Sequence, residues 1–326
     1  MFLPNQGLKR LRQQAPAWLR AAPALALNRL AGRLRPRQTA DLLRRAQRQY
    51  PADFWLNHNL GITLVNLTPP EPDEAVRFLT AAVAVRPDSP GAHYDLGMAL
   101  RAKGRLDEAI ACYRKALELD PQYAAAYVGQ GIALHDRGQV DEAIASYHKA
   151  LALDPKDIYA HTNMGVALGA KGQADEAIAC HRKAIEIDSK YAKAHYNLGN
   201  AVLVQGRLDE AIACYRKALE LDPKDTAARS NLARAERLAT ARDKLPAFQK
   251  GDYTPATNDE RLGLVEWCQV WPWSMLTCTT VSATASVSPL ENIENISIAG
   301  ISLTGVHCAA AGPAKPRHPA TSRKGT

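Results

Sequence analysis

Large rings are scarce in this chain of 326 residues: four Phe, five Trp and eleven Tyr. A core of this composition rests on Ala and Leu, which suits helices packed closely together rather than aromatic-filled sheets. Acids are almost missing from the first 50 residues, where eleven Lys/Arg face the single Asp41, a local charge of +10. The whole chain carries +8, so the remaining 276 residues sum to −2 (8 − 10). The body is close to neutral, which excludes a broadly basic surface for nucleic acid; no nucleic-acid partner is expected. Long apolar runs are also missing. Residues 267–290 are uncharged, but Pro272, Pro289 and many hydroxyls argue against a membrane span, and Pro16 and Pro23 break the apolar stretch of the N-terminus.

Catalytic signatures are absent too. There is no glycine-rich phosphate loop between a strand and a helix, no HRD and no DFG. The phrase GQGIAL at 129–134 imitates the start of a dinucleotide loop but has no third glycine in register and lies in a helical pattern. The reading is a chain that is not an enzyme and needs no cofactor or metal. Three of the six cysteines, Cys112, Cys180 and Cys214, fall in the same phrase, EAIAC, 68 and 34 residues apart. Equivalent sites on neighbouring helical hairpins stand roughly 8–10 Å apart or more, beyond the ~7 Å limit of a disulfide. They are expected to be reduced thiols in a cytoplasmic protein.

What the chain does have is repetition. GRLDEAIACYRKALELDP occurs at Gly104–Pro121 and again, residue for residue, at Gly206–Pro223. The offset of 102 is three times 34, and GQVDEAIASYHKALALDP and GQADEAIACHRKAIEIDS fill the two intervening steps. With position 1 at Pro90, four units follow: 90–123, 124–157, 158–191 and 192–225. Position 8 is always glycine (Gly97, Gly131, Gly165, Gly199), and positions 20 and 27 are always alanine. Two antiparallel helices approach closely only where the facing side chains are minimal. Gly104, Gly138, Gly172 and Gly206 fall where a left-handed residue ends the first helix. An Asp-Glu pair then opens the second, near the positive end of its dipole.

A 34-residue unit of two helices resembles the tetratricopeptide repeat. The resemblance implies an all-α, right-handed α-solenoid over about 37–245. The expected divisions are a basic, partly helical arm at 1–36 and a degenerate half repeat at 37–53. Five units follow over 54–225, the first being 54–89 with two extra residues in the loop LTPPEP. A capping helix at 226–245 and a poorly ordered tail at 246–326 complete the chain. YPADFWLNHNLG (50–61), EPDEAVRFLTAAVAVRPDSPGAHYDLG (71–97) and KLPAFQKGDYTPATNDERLGLVEWCQ (244–269) further resemble segments around the repeats of large bacterial serine/threonine protein kinases.

The family resemblance implies a protein or peptide partner held in a groove lined by the first helices, at positions 2, 5, 6, 9, 12 and 13. Position 6 reads Asn59, Asp95, Gly129, Asn163, Asn197 and Asn231. This is similar to the asparagine ladder of O-GlcNAc transferase repeats, whose amides hold a peptide backbone. An amide both donates and accepts, so it suits a peptide bond of any sequence. Tyr94, Tyr159, Lys193, Tyr196 and Asn200 complete the candidate groove, with Trp55 and His58 nearby. His93, His161 and His195 share position 4 and are expected to fill space between helices rather than hold a metal. Two roles follow from the resemblance: a peptide-binding scaffold acting alone, or a substrate-delivery arm of a kinase or glycosyltransferase system with its catalytic domain elsewhere.

Overall fold

A computed structural model describes residues 35–270. Residues 1–34 of the expected arm at 1–36 and most of the expected tail lie outside them, as do residues 271–290 of the uncharged stretch. Among the described residues there are thirteen helices and no strand. They are α1 (Pro36–Gln49), α2 (Phe54–Val65), α3 (Pro72–Val85), α4 (Pro90–Ala102), α5 (Leu106–Leu119), α6 (Ala124–Asp136), α7 (Val140–Leu153), α8 (Ile158–Ala170), α9 (Ala174–Ile187), α10 (Ala192–Val204), α11 (Leu208–Leu221), α12 (Thr226–Lys250) and α13 (Asn258–Val270). Each of α2/α3, α4/α5, α6/α7, α8/α9 and α10/α11 is a helical hairpin that packs on the next, and the first helices α2, α4, α6, α8 and α10 also touch one another in sequence. This is an all-α solenoid in the 34-residue register.

The turns obey backbone chemistry. Gly104, Gly138, Gly172 and Gly206 adopt φ of +77°, +87°, +79° and +75°, a conformation open to glycine and costly for other residues. The Gly104 N–H donates to the Arg101 carbonyl and the Arg105 N–H to the Leu100 carbonyl, both at 2.9 Å, so the last carbonyls of α4 are satisfied. Asp157 and Asp225 cap the starts of α8 and α12 through their carboxylates.

Position 8 is explained by what faces it. A Cβ on Gly97, Gly131, Gly165 or Gly199 would come within 2.8, 2.5, 2.5 and 2.6 Å of a ring carbon of Tyr113, Tyr147, His181 and Tyr215. These rings, one per second helix at position 24, are fully or almost fully buried against the glycine backbone. Small-opposite-large packing sets the spacing of each hairpin. Position 4 has a different task from simple filling. His93, His161 and His195 place Nε2 at 2.9, 3.1 and 3.0 Å from the carbonyls of Pro87, Pro155 and Ser189, tethering each first helix to the end of the preceding unit. Arg229 repeats the contact with the Pro223 carbonyl at the start of α12.

The buried apolar side chains fall mainly into two clusters that meet on α9. One cluster of buried side chains runs from Ala40 to Cys180, and a second runs from Ile178 to Ala235. The break falls at α9, where His181 replaces the tyrosine of its neighbours.

One boundary differs from expectation. The capping helix does not stop at residue 245: α12 continues to Lys250, with Pro246 inside it, and α13 folds back along it. Ala241, Leu245 and Leu264 are buried together, with Phe248 and Trp267 packed against them. Lys244 pairs with Glu260 and with the Tyr253 hydroxyl. Residues 246–270 therefore contribute helical structure with a small core of its own rather than tail.

Candidate functional site

The expected groove residues do not form one uniform ladder. Asn59 lies half-buried on α2. Asn163 turns back on its own helix, its Nδ2 donating to the Tyr159 carbonyl at 2.8 Å. Asn197 is buried, with 8% exposure, and its Nδ2 has no partner among the described residues. Asn231 reaches across to α10, donating to Asn200 Oδ1 at 2.9 Å and to Tyr196 Oη at 3.3 Å. Asn200 Oδ1 also accepts from the Tyr215 hydroxyl at 2.8 Å. The fold thus brings Tyr196, Asn200 and Asn231 together and leaves Asn59 and Asn163 apart from them.

The aromatic candidates divide as well. Tyr94 is half-buried between Tyr113 and Tyr123, with centroids at 5.8 and 5.3 Å, and burial raises its pKa, helped by the carboxylates of Asp95 and Asp157. Tyr159 is 56% exposed and meets Tyr191 edge-on at 5.8 Å. Tyr196 lies beside Tyr215 at 6.1 Å. Lys193 is exposed one turn before Asn197 on α10.

On this face polar groups of neighbouring helices meet in pairs. His58 Nε2 stands 2.7 Å from Asp95 Oδ2, linking α2 to α4 at the site where the asparagine run breaks. Arg101 pairs with Asp136 at 2.9 Å, linking α4 to α6. The other break has a steric cause: a Cβ on Gly129 would come within 2.7 Å of the Tyr113 ring, which therefore wedges against Gly97 of its own hairpin and Gly129 of the next. Toward α8 and α10 the face is uncharged except for Lys193, and it exposes Tyr159, Val166 and Val204.

The rings at position 24 were the signal that sequence inspection passed over. The column Tyr113, Tyr147, His181, Tyr215 is visible in the repeat register, and its last member orients Asn200. Burial pushes the thiols of Cys112, Cys180 and Cys214 up to about 11, aided by Glu108, Glu176 and Glu210 in turn, which keeps them protonated and unreactive at neutral pH. All three are free. Among the described residues no group of three His, Cys, Asp or Glu is placed to hold a metal ion, and no helix is long and apolar enough to cross a membrane.

Comparison with known proteins bears on this arrangement. The family described as Tetratricopeptide repeat matches residues 192–225, and the one described as TPR repeat matches 97–136, 131–172 and 168–206. Among solved structures, TTC0263, a thermophilic TPR protein of Thermus thermophilus, is 26% identical with a TM-score of 0.50. The match covers 56% of this chain and 98% of that one. MamA from Desulfovibrio magneticus RS-1, from residue 41 to its end, is 24% identical with a TM-score of 0.45, covering 53% and 97%. YrrB, described as a TPR protein with an unusual peptide-binding site, is 22% identical with a TM-score of 0.43, covering 59% and 97%. No curated protein matches the chain.

Proposed function

From the premise that the chain belongs to the tetratricopeptide repeat family, we propose that it is an interaction scaffold whose first-helix face binds an extended polypeptide segment. The observation that carries this reading is where the exposed apolar side chains lie. Seven large ones are exposed among the described residues, and four of them, Trp55, Tyr159, Val166 and Val204, stand on first helices at positions 2, 9 and 13. Packing does not need them there, since the hairpins close through positions 8, 20, 24 and 27. Apolar area left in water beside amides and one lysine suits a ligand that is part backbone and part apolar side chain.

The balance of charge supports a specific kind of segment. The Arg101–Asp136 pair neutralises charge between α4 and α6, and Asp95 faces the His58 ring, while Lys193 has no ion pair among the described residues farther along. The ligand that fits is a largely uncharged peptide with one acidic group near its end over α10. Asn200, oriented by Tyr215 and Asn231, leaves its own Nδ2 to donate to a backbone carbonyl.

The test is selection from a random-peptide display library on the full chain, followed by calorimetric titration of the selected peptide. The triple variant Tyr159→Ala, Val166→Ser, Val204→Ser alters exposed side chains only. It is expected to bind at least about tenfold more weakly, near 1.4 kcal/mol, with an unchanged melting curve. Equal affinity in parent and variant removes the binding site from this face.

A further inference from the structure

The repeats provide internal controls: each position can be compared with its own copies. Unit 124–157 departs from the other three full units at several positions, among them His148 at position 25 where the rest have arginine, and four of the departures bear on one region. Position 4 is Tyr127 where the rest have His93, His161 and His195. Position 7 is Gln130 where the rest have Leu96, Met164 and Leu198, all buried. Position 23 is Ser146 where the rest have cysteine, and position 29 is Ala152 where the rest have Glu118, Glu186 and Glu220.

Three of these changes meet in one place, and the fourth alters its charge. A cleft of about 310 Å³ between α5, α6 and α7 is lined by Arg114, Leu117, Glu118, Tyr127, Gln130 and Lys149. Ser146 Oγ stands 2.9 Å from the Glu142 carbonyl, which takes its single proton, and 3.4 Å from Gln130 Oε1, so the Gln130 amide N–H groups are not engaged by Ser146. An amide in an otherwise apolar column costs stability unless its donors are used.

The cations are unusual too. In other units the lysine at position 26 pairs with the glutamate at position 29: Lys115–Glu118, Lys183–Glu186 and Lys217–Glu220. Lys149 has Ala152 there instead and rests 5.7 Å above the Tyr127 ring. The arginine at position 25 reaches an acid in later units, Arg182 to Glu210 and Arg216 to Glu236. Among the described residues Arg114 has no such pair; Glu142, the counterpart of Glu210, accepts from the Gln139 amide. The one carboxylate lining the cleft, Glu118, is held by Lys115. Two uncompensated cations, a free amide donor and a ring therefore border one shallow, open depression. The larger cleft beside α1 and α3, about 530 Å³, lacks this character, since its Arg44 is tied to Glu71 and Glu74.

We propose that the cleft is a binding site for a small oxyanion, a carboxylate or a phosphate monoester, separate from the first-helix face. Arg114 and Lys149 supply charge from opposite walls, Gln130 donates to an anion oxygen, and Tyr127 and Leu117 contact the body that carries it. The site does not depend on the peptide reading above.

The experiment is NMR or calorimetric titration of the full chain with inorganic phosphate, glutarate and phenyl phosphate, each at fixed ionic strength. At least one probe is expected to bind with a Kd below about 1 mM. The preferred probe separates a bare anion, a dicarboxylate and an anion on a ring. The double variant Arg114→Ala, Lys149→Ala is expected to weaken it at least about tenfold, and Gln130→Leu, which restores the residue type of the other units, several-fold. The matched control Arg182→Ala, Lys217→Ala, the equivalent pair across units 158–191 and 192–225, is expected to leave binding unchanged. Absence of binding for all three probes up to about 20 mM, or equal loss in the control variant, overturns the proposal. Loss of peptide binding with this site intact, or the reverse, keeps the two readings distinguishable.

Discussion

A glycine under a buried ring leaves no room for a side chain, and Gly131 is the clearest instance. Its Cβ would sit 2.5 Å from Tyr147, a ring that the neighbouring alanines hold in place. Gly131→Leu is therefore expected to lower stability by about 1–3 kcal/mol or more, read as an earlier thermal transition. His181 makes a second prediction at this scale. It is 2% exposed, its Nδ1 has no partner among the described residues, and burial pushes its pKa down from 6.5 to about 4. The folded state thus holds the imidazole neutral while the unfolded chain takes up a proton below about pH 6.5. Its contribution to stability is complete above that pH and is lost as pH falls toward 4. His181→Phe removes the penalty, so between pH 7 and pH 5 the variant should lose less stability than the parent, by up to ~2 kcal/mol. Urea midpoints at the two pH values measure this, and parallel losses would contradict a buried neutral imidazole. The glycine column was plain in the sequence because it recurs at every 34th residue. The ring opposite it was harder to assign, because register alone does not tell which of several large residues on a second helix points inward.

Elements end where local chemistry dictates, and these ends were largely legible. The four turn glycines have positive φ as expected, and Gly172→Ala should cost about 1 kcal/mol by forcing an alanine into that region. The caps are less regular. Asp157 accepts from the N–H groups of Tyr159 and Ala160, whereas Tyr191 in the same position of the next unit offers no side-chain cap. Asp157→Ala is expected to lower stability by ~1 kcal/mol, measured as a shift in urea midpoint with unchanged slope. The last hairpin, α12/α13, was not legible. Its contacts, Leu245 with Leu264 and Trp267, lie off the 34-residue register, and Pro246 reads as a stop. Proline near the end of a long helix is tolerated when packing on the next helix offsets the missing hydrogen bond. The groove asparagines show a similar limit. Their spacing could be counted, but whether an amide faces solvent, its own helix or a neighbour depends on rings one unit away, as with Asn231 and Asn200.

At the scale of the whole molecule, stability is shared among neighbours: each hairpin is held by the ones beside it, in the manner of a one-dimensional array. An enzyme gathers a general acid, a general base and binding groups at one point, whereas the acid and base groups described above lie on separate helix faces. Purified chain is expected to show no phosphoryl or glycosyl transfer. Turnover of ATP that persists through rigorous purification would contradict that.

The break between the two apolar clusters at α9 has a consequence for how such an array responds to load. Two apolar blocks that meet on one helix can part there one after the other. Pulled from its termini, the protein should release in two force steps rather than one smooth ramp. The segment from α10 onward should let go first, and the block built on Ala40–Cys180 should hold to higher force. A partner bridging α8 and α10 would stiffen that link, so the protein could report tension, or its release, through occupancy of its own groove.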